Sequence, residues 1–446
     1  ICMEQGNGVE ADPVQAFWLY QQAVEMGSLN AVCCLGVCYQ YGIGTAPDAK
    51  QAAELYCKAA EYGSPRGQML LARAFHDGIG VEADAAEAVY WVRAAAYQRY
   101  GEGMHRLGVC YEYGDGVEQN WERAVHWFRE AAESGVGVAM TDLGYCYEKG
   151  CGVEQSWEQA FSWYRRGAEC GDPVSMCNLG LCYQMGYGVE QNWQEAIKWY
   201  EQGAQCGNLQ SMHNLACCYE HGEGVEQNMT EAIRWYTAAA EGGNADDMYE
   251  LGWQYDHGEG VEQDMKKAIC WYERAAEQNH PAAMNSLGEC YAMGRGVPRD
   301  LETAMEWYRR AAELGEAMAD YNMGWHLEQA GKLSEAYTHY RKAADGNDDS
   351  AWWALGRFYE NGVVVAQDGK EARRCYETGE KLGSVKCKMR LARCKLLGIG
   401  GRRAKKAGLD LCRQALELAK ESSEKEDYGY EAEMNLLRRT IAENES

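Results

Sequence analysis

The chain has 446 residues, 46% hydrophobic and 25% charged, which is ample material for a packed core and excludes disorder by composition. Lys and Arg number 43 against 68 Asp and Glu, a net charge of −25 that repels phosphate backbones and argues against a nucleic-acid partner. The longest apolar runs, such as Val363-Val364-Val365-Ala366, fall far short of the ~18 residues a membrane helix needs.

Read from the N-terminus, the chain repeats itself. Leu35-Gly36-Val37-Cys38-Tyr39 returns from Leu107, Leu143, Leu179, Leu215, Leu251 and Leu287 in steps of 36 residues, with Leu71-Ala72-Arg73-Ala74-Phe75 filling the gap. Beyond Met323 the register slips by four, where Gln329-Ala330-Gly331-Lys332 replaces a longer loop, and it resumes at Leu355 and Leu391. In phase with this ladder run Trp91, Trp127, Trp163, Trp199, Trp235, Trp271 and Trp307, and glycine pairs from Gly6/Gly8 to Gly398/Gly400.

Each unit reads as two helices. Helix A carries a small-Met-x-x-Leu-Gly-x-Cys-Tyr stripe, as in Ala139 to Tyr147, with apolar residues at i, i+3, i+4 and i+7. It stops at the glycine pair, where a left-handed cap suits a residue without Cβ. Four residues on stands a short polar N-cap for helix B: Asp12, Asp48, Asp84, Asn120, Ser156, Asn192, Asn228, Asp264 and Asp300. Helix B then presents Ala124, Trp127, Phe128, Ala131 and their equivalents on one face, and Trp199 of this ladder is expected to be a buried aromatic. Eleven A and twelve B helices are expected, with no strand signal. Aligning Met3 with Tyr39 opens the chain halfway through an A helix, the expectation for a fragment of a longer protein. At the other end, 423–429 reads as a polar linker and about Tyr430 to Ile441 as an amphipathic cap on the last repeat.

Leu-Gly, Gly-x-Gly, N-cap, Trp-Tyr and Ala-Ala at fixed phase resemble the Sel-one-like repeat (SLR) family, relatives of the tetratricopeptide repeat. The resemblance spans Ile1 to about Lys420. It implies an all-α fold, a right-handed α–α superhelix or solenoid of about eleven 36-residue helix–turn–helix repeats over 1–420, with 421–446 as capping helix and tail. It also implies A helices along the concave face and a role as a non-enzymatic adaptor for other proteins. Cysteine-rich secreted relatives supply the alternative, a secreted or periplasmic protein with cell-wall-related or β-lactamase-like activity. Those relatives carry a disulfide in each repeat, and here only Cys170 and Cys177 come near that pattern.

Of the 20 cysteines, eight (Cys2, Cys38, Cys110, Cys146, Cys182, Cys218, Cys290, Cys394) share one repeat position before the helix-A tyrosine. A position common to the repeats reads as a packing slot for a small hydrophobe, and unpaired cysteines favour a reducing, cytoplasmic setting. His213, Cys217 and His221 stand at i, i+4 and i+8, but that interval spans ~12 Å, too far to close on one ion. Glycine pairs that follow a helix are caps, not phosphate loops, and the Met ladder is core filling. No catalytic constellation, metal site or cofactor is expected.

Function is then expected where helix A varies. Three columns at i, i+4 and i+8 are rich in Trp, Tyr, His and Met, above all Tyr249, Trp253, His257, Tyr321, Trp325 and Trp353, with His213 and Tyr145 earlier in the chain. Two readings stay open: anchors for a protein or peptide, or packing between neighbouring A helices. Residues 1–380 carry a net charge of about −30, since 15 basic and 10 acidic residues follow from Lys381 on, so a partner of basic character is expected.

Overall fold

The computed structural model describes residues 12–425 and 430–445. Among the described residues there are 24 helices and no strand, from Pro13–Glu25 to Glu431–Glu445. Eleven are A helices, beginning with Leu29–Tyr41 and ending with Val385–Leu397; twelve are B helices; the last is the cap. Twenty-two of them have the same 13-residue length. Each packs mainly on its neighbours in sequence, which makes the fold an α-solenoid. The expected opening of the chain at Met3 lies outside the described residues. Two compact units divide the chain, Ile1–Ala238 and Ala239–Ser446.

The boundaries follow from local chemistry. Asp48 accepts the Gln51 N–H at 3.0 Å and Asn120 the Arg123 N–H at 2.9 Å, satisfying orphan donors at the starts of B helices. The A helices have caps of their own that the sequence pattern did not single out: Ser64 accepts from Gly67, Asp172 from Ser175, and the His280 ring nitrogen from Ala283. Among the described residues, glycine pairs such as Gly78/Gly80 work in two ways. Gly78 closes its helix with φ of 69°. Gly80, also left-handed with φ of 70°, leaves room for the preceding B helix: a Cβ there would lie 2.0 Å from the Ala49 carbonyl oxygen.

The core is built where B lies on A. Tyr56, Tyr164, Tyr200, Tyr272, Tyr308 and Tyr376 are buried to 1% or less, and each crosses onto the glycine of its own repeat's Leu-Gly pair. A Cβ on Gly180 would sit 2.5 Å from the Tyr200 ring, so this glycine is where two helices approach closely. The ring's hydroxyl donates to the A helix sixteen residues back: Tyr164 to Glu148 at 2.8 Å and Tyr200 to Gln184 at 2.6 Å. After the shortened loop, Tyr340 still reaches its carboxylate, Glu328, at 2.7 Å, now only twelve residues back.

This corrects the part given to Trp199. The expected buried aromatic of helix B is half-buried, and Tyr200 beside it is the one with no exposure. The tryptophans pack along the repeats, several beneath a cation: Arg166 lies 4.2 Å from the Trp163 ring and Arg274 4.2 Å from Trp271. At the C-terminus the helix Lys405–Lys425 runs past the expected start of the linker at 423. The cap Glu431–Glu445 packs Met434 and Leu437 against Met389 and Leu396, and Arg390 holds Glu433 with two hydrogen bonds of 2.6 and 2.7 Å.

Candidate functional site

The three columns of helix A form a gradient of exposure rather than one face. In the first, Cys33, Thr141, Cys177, Asn285 and Met389 are buried, while His213, Tyr249, Tyr321 and Trp353 are half-buried, the first three with their rings against the B-helix tyrosines Tyr236, Tyr272 and Tyr340. The second includes Trp253 half-buried and Trp325 exposed, while in the third His257, Tyr41, Tyr113, Met185 and Met293 are all exposed. Packing therefore claims much of the first column, and the side chains free to meet a partner lie one and two turns later.

In the first unit, Tyr145 is exposed with the Lys149 ammonium 5.8 Å from its ring. His213 lies 3.5 Å from the Cys217 sulfur, and His221 turns away to donate to the Cys217 carbonyl. Among the described residues no group of three His, Cys, Asp or Glu is placed to hold a metal ion.

In the second unit the helix Ala245–His257 brings three of the expected residues together. Tyr249 stacks on His280 at 4.9 Å, and Trp253 stacks on His257 at 4.4 Å. The His257 Nδ1–H donates to the Trp253 carbonyl at 2.9 Å, which fixes the ring against the indole. Together they line a groove of about 310 Å³ whose other walls include Asp256, Glu289, Arg295 and Glu316. Three carboxylates face one guanidinium. Arg295 is drawn to Asp256 at 2.7 Å and to Glu289 at 4.0 Å, leaving the groove with an acidic excess. Burial pushes the Tyr249 hydroxyl above its ordinary value and the His280 ring below it, so both stay neutral near pH 7.

The remaining candidates occupy other rungs of that unit. Trp325 is 38% exposed with its edge against His326, and Tyr321 is half-buried 5.6 Å from Tyr340. Trp353 lies under Arg357 at 4.6 Å and Lys386 at 5.3 Å, and its indole N–H finds no acceptor among the described residues. Sequence reasoning missed Asp256 and Glu316. Asp256 was detectable, because it holds the position of the acceptors Gln184 and Glu148. Glu316 precedes its A helix in a turn with no repeating signal.

Such an arrangement offers flat rings and carboxylates on an α-solenoid, chemistry suited to clasping apolar-stemmed cations. The Sel1 repeat family model matches residues 1–28, 31–64, 65–100, 101–136, 137–172, 173–208, 209–244, 245–280, 281–316, 317–348, 351–384 and 385–420, so the chain belongs to the Sel1 repeat family. Solenoids of this family generally mediate protein–protein interaction. Among solved structures the chain is similar to c5321, a protective antigen of uropathogenic Escherichia coli strains displaying an SLR fold. The two are 29% identical over 96% of this chain and 94% of that one, with a TM-score of 0.67. It is also similar to a Sel1 repeat protein from Oxalobacter formigenes, 30% identical over 56% of this chain and all of that one, with a TM-score of 0.52. No curated protein matches the sequence. Among the described residues no helix is long and apolar enough to cross a membrane.

Proposed function

We propose that this protein is a non-catalytic interaction scaffold whose A-helix face in the second unit holds a peptide or protein surface of basic, partly aromatic character. One observation carries the reading: Tyr249, Trp253 and His257 stand in one groove with Asp256, Glu289 and Glu316. The rings supply desolvated contact area and the carboxylates select the sign of charge. Trp325, exposed on a later A helix, serves as a second anchor. A reducing, cytoplasmic setting goes with this function, supported by cysteine at a buried packing slot in Cys38, Cys110, Cys146, Cys182, Cys218, Cys290 and Cys394.

Selection from a random displayed-peptide library tests the proposal. Enriched sequences should combine Lys or Arg with an aromatic residue. Their affinity should fall about tenfold or more in Trp253→Ala, chiefly through faster dissociation. Glu158→Ala, on an exposed B-helix turn in the first unit, should leave binding unchanged. Acidic binders that hold the Trp253→Ala, Trp325→Ala double variant as tightly as wild type would overturn it.

A further inference from the structure

One position near the end of helix A normally serves the core. There Gln40, Glu148, Gln184, Glu220, Glu328 and Glu360 accept the hydroxyl of the B-helix tyrosine at 2.6–2.8 Å. Asp256 holds the same position on the helix Ala245–His257 and breaks the rule. It is the one aspartate in this column, a methylene shorter than glutamate, and the Tyr272 hydroxyl lies 3.5 Å away. A pattern kept along the chain and dropped beside a groove marks a side chain committed elsewhere.

Asp256 is committed to Arg295. The Arg295 Nη1 donates to its Oδ1 at 2.7 Å, reaching back 39 residues from the loop after the helix Pro281–Met293. Arg295 is the only cation that stands between the two glycines of a capping pair. Ile79, Cys151, Tyr187 and Glu259 hold that place in other pairs. Both partners of this bond therefore depart from their columns, and they do so together.

Arg295 arrives from the solvent side. It is 40% exposed, whereas the carboxylate it holds is 3% exposed. The seat on Asp256 is thus shielded from water yet open to a guanidinium, along the groove that Tyr249 and Trp253 line. One short ion pair keeps Arg295 there among the described residues, since Glu289, its other carboxylate, is 4.0 Å away. A guanidinium is planar and weakly hydrated, so it enters a shielded carboxylate seat at less cost than a lysine ammonium. The neighbouring rings add to that preference, because a flat cation stacks on an indole.

We propose that the groove beside Trp253 recognises an arginine side chain of its partner, and that Arg295 is the stand-in this arginine displaces from Asp256. The inference rests on the function proposed above and narrows it from a basic partner to an arginine-bearing one. Self-occupation also sets the strength of binding. A seat filled by the chain's own guanidinium lowers the apparent affinity by the fraction of time it stands free.

Calorimetric titration of the full chain provides the test, with the most enriched displayed peptide and a copy in which every arginine is lysine. Wild type should bind the lysine copy about tenfold more weakly. Arg295→Gln should bind the arginine peptide about tenfold more tightly than wild type, the reverse of losing an ordinary contact residue. The lysine copy should gain less, because an equal gain would report only the removed charge. Asp256→Asn keeps the shape of the side chain and removes the seat, so it should level the two peptides. That variant serves alone if Arg295→Gln does not fold. A selection that enriches no basic, aromatic sequence would sink the proposed function and this inference with it. Four results would overturn the inference alone: lysine enriched without arginine, equal binding of the two peptides by wild type, no gain for the arginine peptide over its lysine copy in Arg295→Gln, or an arginine preference that survives Asp256→Asn.

Discussion

Asp348 shows what a single cap can cost. It opens the A helix Asp349–Asn361 by accepting the Ala351 N–H at 2.6 Å, a bond that favours its charged form. Burial outweighs that bond, with Asp349 and Glu316 adding repulsion, and pushes its carboxyl from 3.8 to about 6. A carboxyl raised in the folded state resists ionisation there. Stability is therefore lost as pH climbs from about 4 to about 6, and the loss persists above that range. Asn caps a helix as well as Asp does and carries no charge. Asp348→Asn should match wild type near pH 4 and exceed it at pH 7 by on the order of 2 kcal/mol. Thermal melts of both proteins across this range read the difference directly; a constant offset would contradict the account.

At the scale of the helix pair, the B-helix ring and the A-helix glycine form one joint. Tyr200 has no exposure, so Tyr200→Ala should cost ~3–5 kcal/mol. Trp199→Ala, at a half-buried position, should cost well under half as much. Each repeat meets chiefly its neighbours, so hydrogen exchange should rise first within residues 173–208 and the repeats on either side. Exchange rising evenly along the chain would contradict this. The joint also explains what could be read in advance. Helix number, 36-residue spacing, glycine caps and B-helix N-caps are local patterns, and they are present as expected. The helix-B pattern puts both Trp199 and Tyr200 on the packing face, and the structure buries Tyr200 while Trp199 stays half-buried: adjacent residues differ by about 100° around a helix, and only the partner helix decides which one points inward. The same limit holds for the site. Tyr249, Trp253 and His257 were found because they lie on one helix at i, i+4 and i+8. Glu289 and Glu316 opposite them come from other segments, and their approach is set by packing.

Across the whole molecule, thiol chemistry reports which cysteines belong to the core. Burial pushes Cys110 and Cys290 up to about 11, and Cys146, Cys182, Cys218 and Cys394 to about 12, leaving almost no thiolate near neutral pH. Cys170, Cys206 and Cys270 are exposed. Brief iodoacetamide treatment of the native protein should label those three first, as peptide mass mapping would show. Under denaturing, non-reducing conditions most of the 20 cysteines should titrate as free thiols. Fewer than half would speak against a reducing compartment.

The bond from Tyr340 to Glu328 has a consequence for how such chains change over time. Four residues are missing between this helix pair, yet the ring finds its carboxylate at the usual distance. The connection is a spacer whose length does not set the docking of the helices it joins. Gly331, with φ of 76°, meets nothing that would obstruct added atoms, and residues 329–335 are exposed. Insertions and deletions at this bend should therefore be tolerated with little loss of stability. The same bend is the natural place to graft an epitope or a reporter without disturbing the repeats on either side.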